Sequence, residues 1–437
     1  MADQRILDRI SFLFFAGSAS SLLLCAGVFL GANKIFPYRQ LNAAYQFVFH
    51  QSGTPHFLRP SHYDFSGVRQ HNPAAIEPGV TLISTYWKSF GWKPGIKIID
   101  ADGSVLHEWR INPSEIIPHK NPTTEIRNTL DTYVHGCYLF DNGDIIFNIE
   151  YVGLVRMNAA GEVVWTFSSC RTHHSVFRDA RGHFWVCGVA TVEDTPEGRE
   201  RLKRYPGPQL PLSEDFILQI DENGKLLRKI SILELLYKSR YRYLLWQMRF
   251  HDPTGDILHT NDIEVLSPQM ADQYPLFNAG DILVSCRELN SVFVIDHATE
   301  EITWLYNKSL HRQHDPDFTG GGNIRVFNNN WDGSDNGTYL GGTTLLDINP
   351  SENTDTVVYP RSENSDFYSY IGGKAQSLSN GNILITEAMR GRVFEVDSTG
   401  ATVWEWVNDC TDGTLIPEVL EGTRYRLSPE EISRWSN

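Results

Sequence analysis

The strongest constraint on this chain is a phrase that it repeats. A Gly turn opens a β-rich strand, a second short strand ends in Asp or Asn, and a third closes on Trp. Asn142-Gly143-Asp144-Ile145-Ile146 leads to Val155-Arg156-Met157-Asn158 and then to Gly161-Glu162-Val163-Val164-Trp165. Ala279-Gly280-Asp281-Ile282-Leu283 leads to Phe293-Val294-Ile295-Asp296 and Ile302-Thr303-Trp304. Asn380-Gly381-Asn382-Ile383-Leu384 leads to Phe394-Glu395-Val396-Asp397 and Gly400-Ala401-Thr402-Val403-Trp404. Degenerate copies at 96–109, 182–230 and 322–358 bring the total to six, at spacings of roughly 50 to 75 residues. Such a unit is one four-stranded blade, which buries both faces only when neighbours stack on it in a ring. The pattern therefore predicts an all-β, six-bladed β-propeller over 80–410, with each closing Trp packed between neighbouring blades.

Length and composition fit one large ring. The chain has 437 residues, 41% of them apolar, far from the composition of a disordered chain. Its net charge of −15 argues against a nucleic-acid surface, which needs Lys and Arg in excess. Six Cys are too few for a disulfide scaffold. Cys137, Cys170, Cys187, Cys286 and Cys410 are candidates in an oxidising compartment, but their odd number leaves at least one free, or none paired.

The N-terminus carries a different signal. Residues 10–33 are 24 positions without a charge, and about 20 apolar residues span a bilayer as a helix. Gly17, Ser18, Ala19, Ser20 and Ser21 would give that helix a small-residue contact face. A cleaved signal peptide is the alternative, although the preceding MADQRILDR holds two acids and no clean cleavage site follows. The reading is a transmembrane anchor after a short tail at 1–9, then a linker at 34–79, the propeller, and a C-terminal tail at 411–437 packed on it. Lys and Arg balance on the two sides of the span, so charge does not orient it. The stretch 191–213, with Pro196, Pro206, Pro208 and Pro211, reads as a long loop. The apolar, basic stretch 231–250 reads as a helix, lying on a membrane or a face of the ring, or buried between blades.

Histidines recur in phase with the repeats. The inner strand of each blade lines the central channel, and we assign it to the strand of the Gly-Asp/Asn-Ile phrase and the residues before it. His135, His173-His174, His259 and His314 precede that phrase in four successive copies, while the last copy has Lys374 instead. Imidazoles from adjacent blades would converge at one level of the channel. Arg287, in the strand expected over 282–288, adds a fixed positive fork of five donors. Asn261 shares a face with His259 and offers a further hydrogen bond. Together these groups suit an oxyanion. Arg424-Tyr425, near the C-terminus, has no role in this reading.

The segments RTHHSVFRDARGHFWV (171–186), HTNDIEVL (259–266), GDILVSCRELNSVFVIDHATEEITW (280–304), QHDPDF (313–318) and GRVFEVDSTGATVWEWVN (391–408) resemble the arylsulfate sulfotransferase family. The resemblance spans roughly residues 80–430. It implies a six-bladed propeller acting outside the cytoplasm, on the periplasmic or extracellular side. It also implies transfer of a sulfuryl group from a small aromatic sulfate ester to a phenol acceptor, without a nucleotide donor, cofactor or metal. By the same resemblance His314 is the nucleophile, with His259, Asn261 and Arg287 beside it, and His174 or His135 as the earlier channel histidine. His314 would attack sulfur in line to give a sulfohistidine, and a phenol would then take the group, giving ping-pong kinetics. Arg287, His259 and His174 would hold the sulfate oxygens, with Asp315 a candidate to orient His314.

Two other readings of the same residues stand beside this one. Four histidines on successive inner strands are a ligand set for Fe(II) at the ring axis. A propeller on one membrane helix could also be a non-catalytic subunit of a larger membrane complex, with a membrane-protein partner.

Overall fold

The computed structural model describes residues 55–436, apart from 118–132, 193–198, 201–202, 204–211, 249–254, 335, 362–365 and 410–412, together with scattered positions between 15 and 27. Two units are distinguished, Met1–His56 and Phe57–Asn437. In the first, the described residues between Phe15 and Gly27 are helical. Among the described residues no helix is long and apolar enough to cross a membrane. Most of the anchor expected at 10–33 lies outside the described residues.

The second unit is the six-bladed propeller. Blades 2 to 5 are each four consecutive antiparallel strands. They begin with the inner strands Val134–Leu139, Arg171–Arg178, Thr260–Val265 and His314–Gly320. Blade 6 begins at Lys374–Ser377 and blade 1 at Val419–Tyr425. These first strands contact one another in sequence round the ring, so they line the axis. The strand bearing the Gly-Asp/Asn-Ile phrase, such as Ile145–Ile149 or Ile282–Cys286, is the second in its blade. Its side chains are buried on both faces, which is why the phrase reads as continuous apolar residues.

Ring closure uses both ends of the unit. Val419–Tyr425 pairs with Val80–Trp87 to complete blade 1, and Gly67–Gln70 adds a fifth, outer strand to blade 6. Leu58–Pro60 pairs with Leu415–Pro417. The expected linker at 34–79 and tail at 411–437 therefore both contribute strands to the propeller. A ring assembled from one linear chain leaves an open edge where its ends meet, and these pairings cover it. Arg424 is part of the closure. It is 5% exposed, sits over the Trp404 ring at 5.3 Å, and pairs with the fully buried Glu395 of blade 6 at 3.3 Å.

The closing tryptophans join blades as expected. Trp109, Trp165 and Trp404 donate their indole N–H to Asn158, Glu222 and Ala101, each a carbonyl of the following blade, at 2.9–3.0 Å. The stretch 231–250 forms two short helices, Ile232–Lys238 and Tyr243–Met248. Ile232, Leu233, Leu235, Leu236, Leu244 and Leu245 are buried with the apolar side chains of blades 3 and 4, so this stretch packs between blades. The prolines of 191–213 lie outside the described residues. Cys137, Cys170, Cys187 and Cys286 are free and buried.

Candidate active site

The inner strands run in the same direction along the axis, so residues at their starts share one end of the channel. His135, His173, His174, His259 and His314 all fall there. Ring centroids lie 5.0 Å apart for His135 and His174, 5.1 Å for His174 and His259, and 6.3 Å for His174 and His314. His174 is the hub, and its Nδ1 lies 2.8 Å from His173 Nδ1.

This convergence costs regular pairing. The ladder of the inner strand slips between His135 and Cys137, His173 and Val176, Thr260 and Asp262, and His314 and Asp317. Such bulges re-aim side chains. His174 and His259 adopt left-handed φ angles of 55° and 49°, a conformation disfavoured for L-residues. Their carbonyls are held by the Asn148 amide at 2.8 Å and the Arg287 backbone N–H at 3.0 Å. Gly136 has φ 62°, and a Cβ there would fall 2.0 Å from the His174 carbonyl oxygen. Blades 2 and 3 can approach this closely only with glycine at that position.

His314 is set up as a neutral base. Its Nδ1 lies 2.7 Å from Asn329 Oδ1 and 3.1 Å from the Arg312 carbonyl, both acceptors, so the ring proton sits on Nδ1. Asn329 is fixed in turn, because its amide N–H groups donate to the Ser369 and Gly372 carbonyls at 2.7 Å. The free pair on Nε2 points into the site, buried and without a hydrogen-bond partner. Burial first, and the Arg287 charge second, hold the imidazole well below its ordinary pKa. Asp315, expected beside His314, instead accepts the Ala375 backbone N–H at 2.7 Å. Its own φ of 50° turns it away along the bulge.

The other expected residues divide. His259 Nδ1 is 2.5 Å from Asp256, leaving its Nε2 buried and unpartnered like that of His173. Burial and the Arg287 charge keep His259 below its ordinary value against the pull of Asp256. Arg287 lies just past the strand Ile282–Cys286 and is 8% exposed. Glu288 ties its guanidinium at 2.7 and 2.9 Å, and also holds Arg312 at 2.7 Å. Asn261 donates to the Gln313 carbonyl at 2.7 Å, clasping the entry to the inner strand of blade 5 rather than facing the ring of histidines with its amide N–H. In blade 6, Lys374 pairs with Glu421 at 2.9 Å.

The arrangement speaks to metal chemistry as well. His135, Glu150 and His174 each offer a ligand atom within 4.8 Å of the other two, but among the described residues His259 and His314 do not join such a group. The four-histidine set considered for iron therefore does not close on one point. His174 Nδ1 is already shared with His173, so the cluster reads as a proton-sharing network.

A family model for arylsulfotransferase (ASST) matches residues 137–409, well over half of the chain. The chain belongs to the arylsulfotransferase family. No curated protein matches it. Among solved structures it is similar to a protein of unknown function from Bacteroides caccae (14% identity, 76% of this chain and 94% of that one, TM-score 0.48). It is also similar to a catalytically inactive virginiamycin B lyase from Staphylococcus aureus with quinupristin (11% identity, 78% and 88%, TM-score 0.40). A third is TolB from Acinetobacter baumannii (11% identity, 79% and 67%, TM-score 0.41).

In this arylsulfotransferase-family ring, Asn329 is the site residue that inspection of the histidines alone overlooks. Replacing it with Ala removes the acceptor that keeps the His314 proton on Nδ1. The expected result is a fall in turnover of roughly 10²-fold with little change in KM, since the histidine loses its productive tautomer rather than its place. Steady-state kinetics on an aryl sulfate check this.

Proposed function

We propose that this protein moves a sulfuryl group from a phenolic sulfate ester to a phenol through a sulfohistidine on His314. The observation that carries the reading is the buried, unpartnered Nε2 of His314, with its Nδ1 proton anchored on Asn329. A neutral imidazole with its lone pair unengaged is a nucleophile, and the charge it gains on attack is met by Asn329 Oδ1. His259, with an open Nε2, and the Arg287 charge lie near enough to His314 to act on it, and His173, also with an open Nε2, stands 6.4 Å from His259. They suit the three sulfate oxygens, whose charge shifts during transfer. Burial keeps the histidines neutral while the site is empty, so an arriving anion draws protons onto those that face its oxygens. This local charge also overcomes the overall sign of a chain with net charge −15.

Incubation with 4-nitrophenyl sulfate and a phenol tests the proposal. Beyond a first equivalent per chain, nitrophenolate appears only as the phenol becomes sulfated, and double-reciprocal plots against the two substrates are parallel, as for ping-pong transfer. No turnover across several phenols would leave the ring as a non-catalytic platform.

The apolar segment 10–33 is proposed to be an anchor that holds the propeller outside the cytoplasm. Sedimentation of the full chain with membranes, resistant to alkaline extraction, is the expected result. Release into the soluble fraction as the intact chain would contradict it.

A further inference from the structure

Three blades place a polar side chain at one equivalent position. Counting seven residues from the glycine of the repeated phrase gives Arg287 from Gly280, Asn329 from Gly322 and Glu150 from Gly143. Each stands directly after the second strand of its blade, after Cys286, Asn328 and Ile149 respectively. At this position the chain turns at the histidine end of the channel. Arg287 supplies charge there and Asn329 fixes the His314 tautomer. Glu150 has no part in the reaction described so far.

Its surroundings are unusual for a carboxylate. Glu150 Oε1 lies 3.7 Å from His174 Nδ1, and its oxygens, His135 and His174 fall within 4.8 Å of one another. Its side chain is 12% exposed, yet among the described residues it makes no side-chain hydrogen bond. Only its backbone N–H is satisfied, by the Tyr133 carbonyl at 3.0 Å. Its oxygens are not among the buried polar atoms that lack a partner, so the carboxyl keeps an open edge where a bound hydroxyl can meet it. The groups facing it are Glu418 and Tyr133 from the edge of blades 1 and 2, Tyr151 beside it, His135 and His174 from the inner strands, and Arg287 from blade 4.

We propose, resting on the function given above, that Glu150 is the acid and base for the phenolic oxygen. In the first half-reaction His314 Nε2 forms a bond to sulfur as the bond from sulfur to the phenolic oxygen breaks, and the Glu150 carboxyl passes its proton to that oxygen. In the second, the Glu150 carboxylate takes the proton from the acceptor hydroxyl as its oxygen attacks sulfur and the bond to Nε2 breaks. The carboxyl is restored and no other reactant is needed. Supporting this, burial and the neighbouring Glu418 charge raise the Glu150 carboxyl to about 7, against Arg287. A proton held near neutrality can be given and taken back in one cycle.

The test compares two donors. Nitrophenol leaves readily as its anion, whereas unsubstituted phenol is about as weak an acid as a tyrosine side chain, with a pKa of about 10. Glu150→Gln keeps the shape and removes the proton exchange. The expected result, read as kcat/KM for the donor, which reports the first half-reaction alone, is a near-parental value for 4-nitrophenyl sulfate and a loss of roughly 10²-fold for phenyl sulfate, while discharge to the acceptor slows for both. With phenyl sulfate the parent's kcat/KM falls as pH rises through the region near 7, and the variant lacks that limb. Equal losses on both donors, or none on either, would overturn this role while the parent's turnover leaves the proposed function standing. A parent inactive on both donors would overturn the function and this role together. Because kcat/KM for 4-nitrophenyl sulfate reports folding, a misfolded variant shows the equal loss and is separated by Glu150→Asp, which restores the pH limb if the carboxyl is what matters.

Discussion

Sulfuryl transfer is expected to fall by about 10⁴-fold or more when His314 is replaced by Asn, because the proposed attacking atom is gone. Asparagine fills most of the imidazole volume and can still meet Asn329, so the fold is retained. The other open imidazole nitrogens, on His259 and His173, do not substitute. His259 is tied through Nδ1 to Asp256, and His173 is engaged with His174 and stacked on Tyr151 at 5.1 Å. Rates for the parent and the variant on the same aryl sulfate check this. A variant that keeps more than about a tenth of the parental rate is incompatible with His314 as nucleophile.

The largest stability loss is expected at the seam of the ring. Arg424 joins the C-terminal strand of blade 1 to blade 6. Its guanidinium donates to Thr81 at 3.0 Å and to the Glu77 carbonyl, and pairs with Glu395. Glu395 is fully buried, and its second oxygen accepts from Asn382 at 2.7 Å and the Glu77 backbone at 2.8 Å. Arg424→Met leaves that carboxylate charged and unpaired, which costs about 3–5 kcal/mol. Chemical denaturation should show this as a lowered midpoint. Adding Glu395→Gln removes the stranded charge and recovers a large part of the loss, so the two changes are far from additive. Additive losses would show that the pair does not hold the seam.

The sequence made the ring legible because its repeat carries the period of a blade. Apolar second strands and closing tryptophans are dictated by burial, and burial is the same in every blade. Closure was not legible. Residues 67–70 and 419–425 complete other blades' sheets across hundreds of residues, and no local pattern announces a long-range edge pairing. Arg424 had no role in the sequence for that reason, since its partners Glu395 and Trp404 lie in the neighbouring blade.

The same contrast runs through the site. The histidines stand before the repeated phrase in four copies, so phase alone collects them. Asp315 follows His314 directly, yet a bulge with positive φ turns it toward Ala375, and pairing by adjacency fails. Asn329 and Glu150 were missed although a signal existed. Both stand seven residues past the glycine of their phrase, as Arg287 does. Arg287 drew notice because an arginine after an apolar strand is conspicuous. An asparagine among three consecutive asparagines, or a glutamate at a strand end, is not.

The measurement that bears most directly on the central claim is isolation of the intermediate. The full-length protein is mixed with an aryl sulfate in the absence of acceptor, quenched in base, digested, and its peptides are analysed by mass. The account predicts one acid-labile sulfuryl group on the peptide holding His314, formed as the first equivalent of phenol is released and discharged when a phenol acceptor is added. Release of phenol with no labelled peptide, or with the group on a different residue, would contradict it.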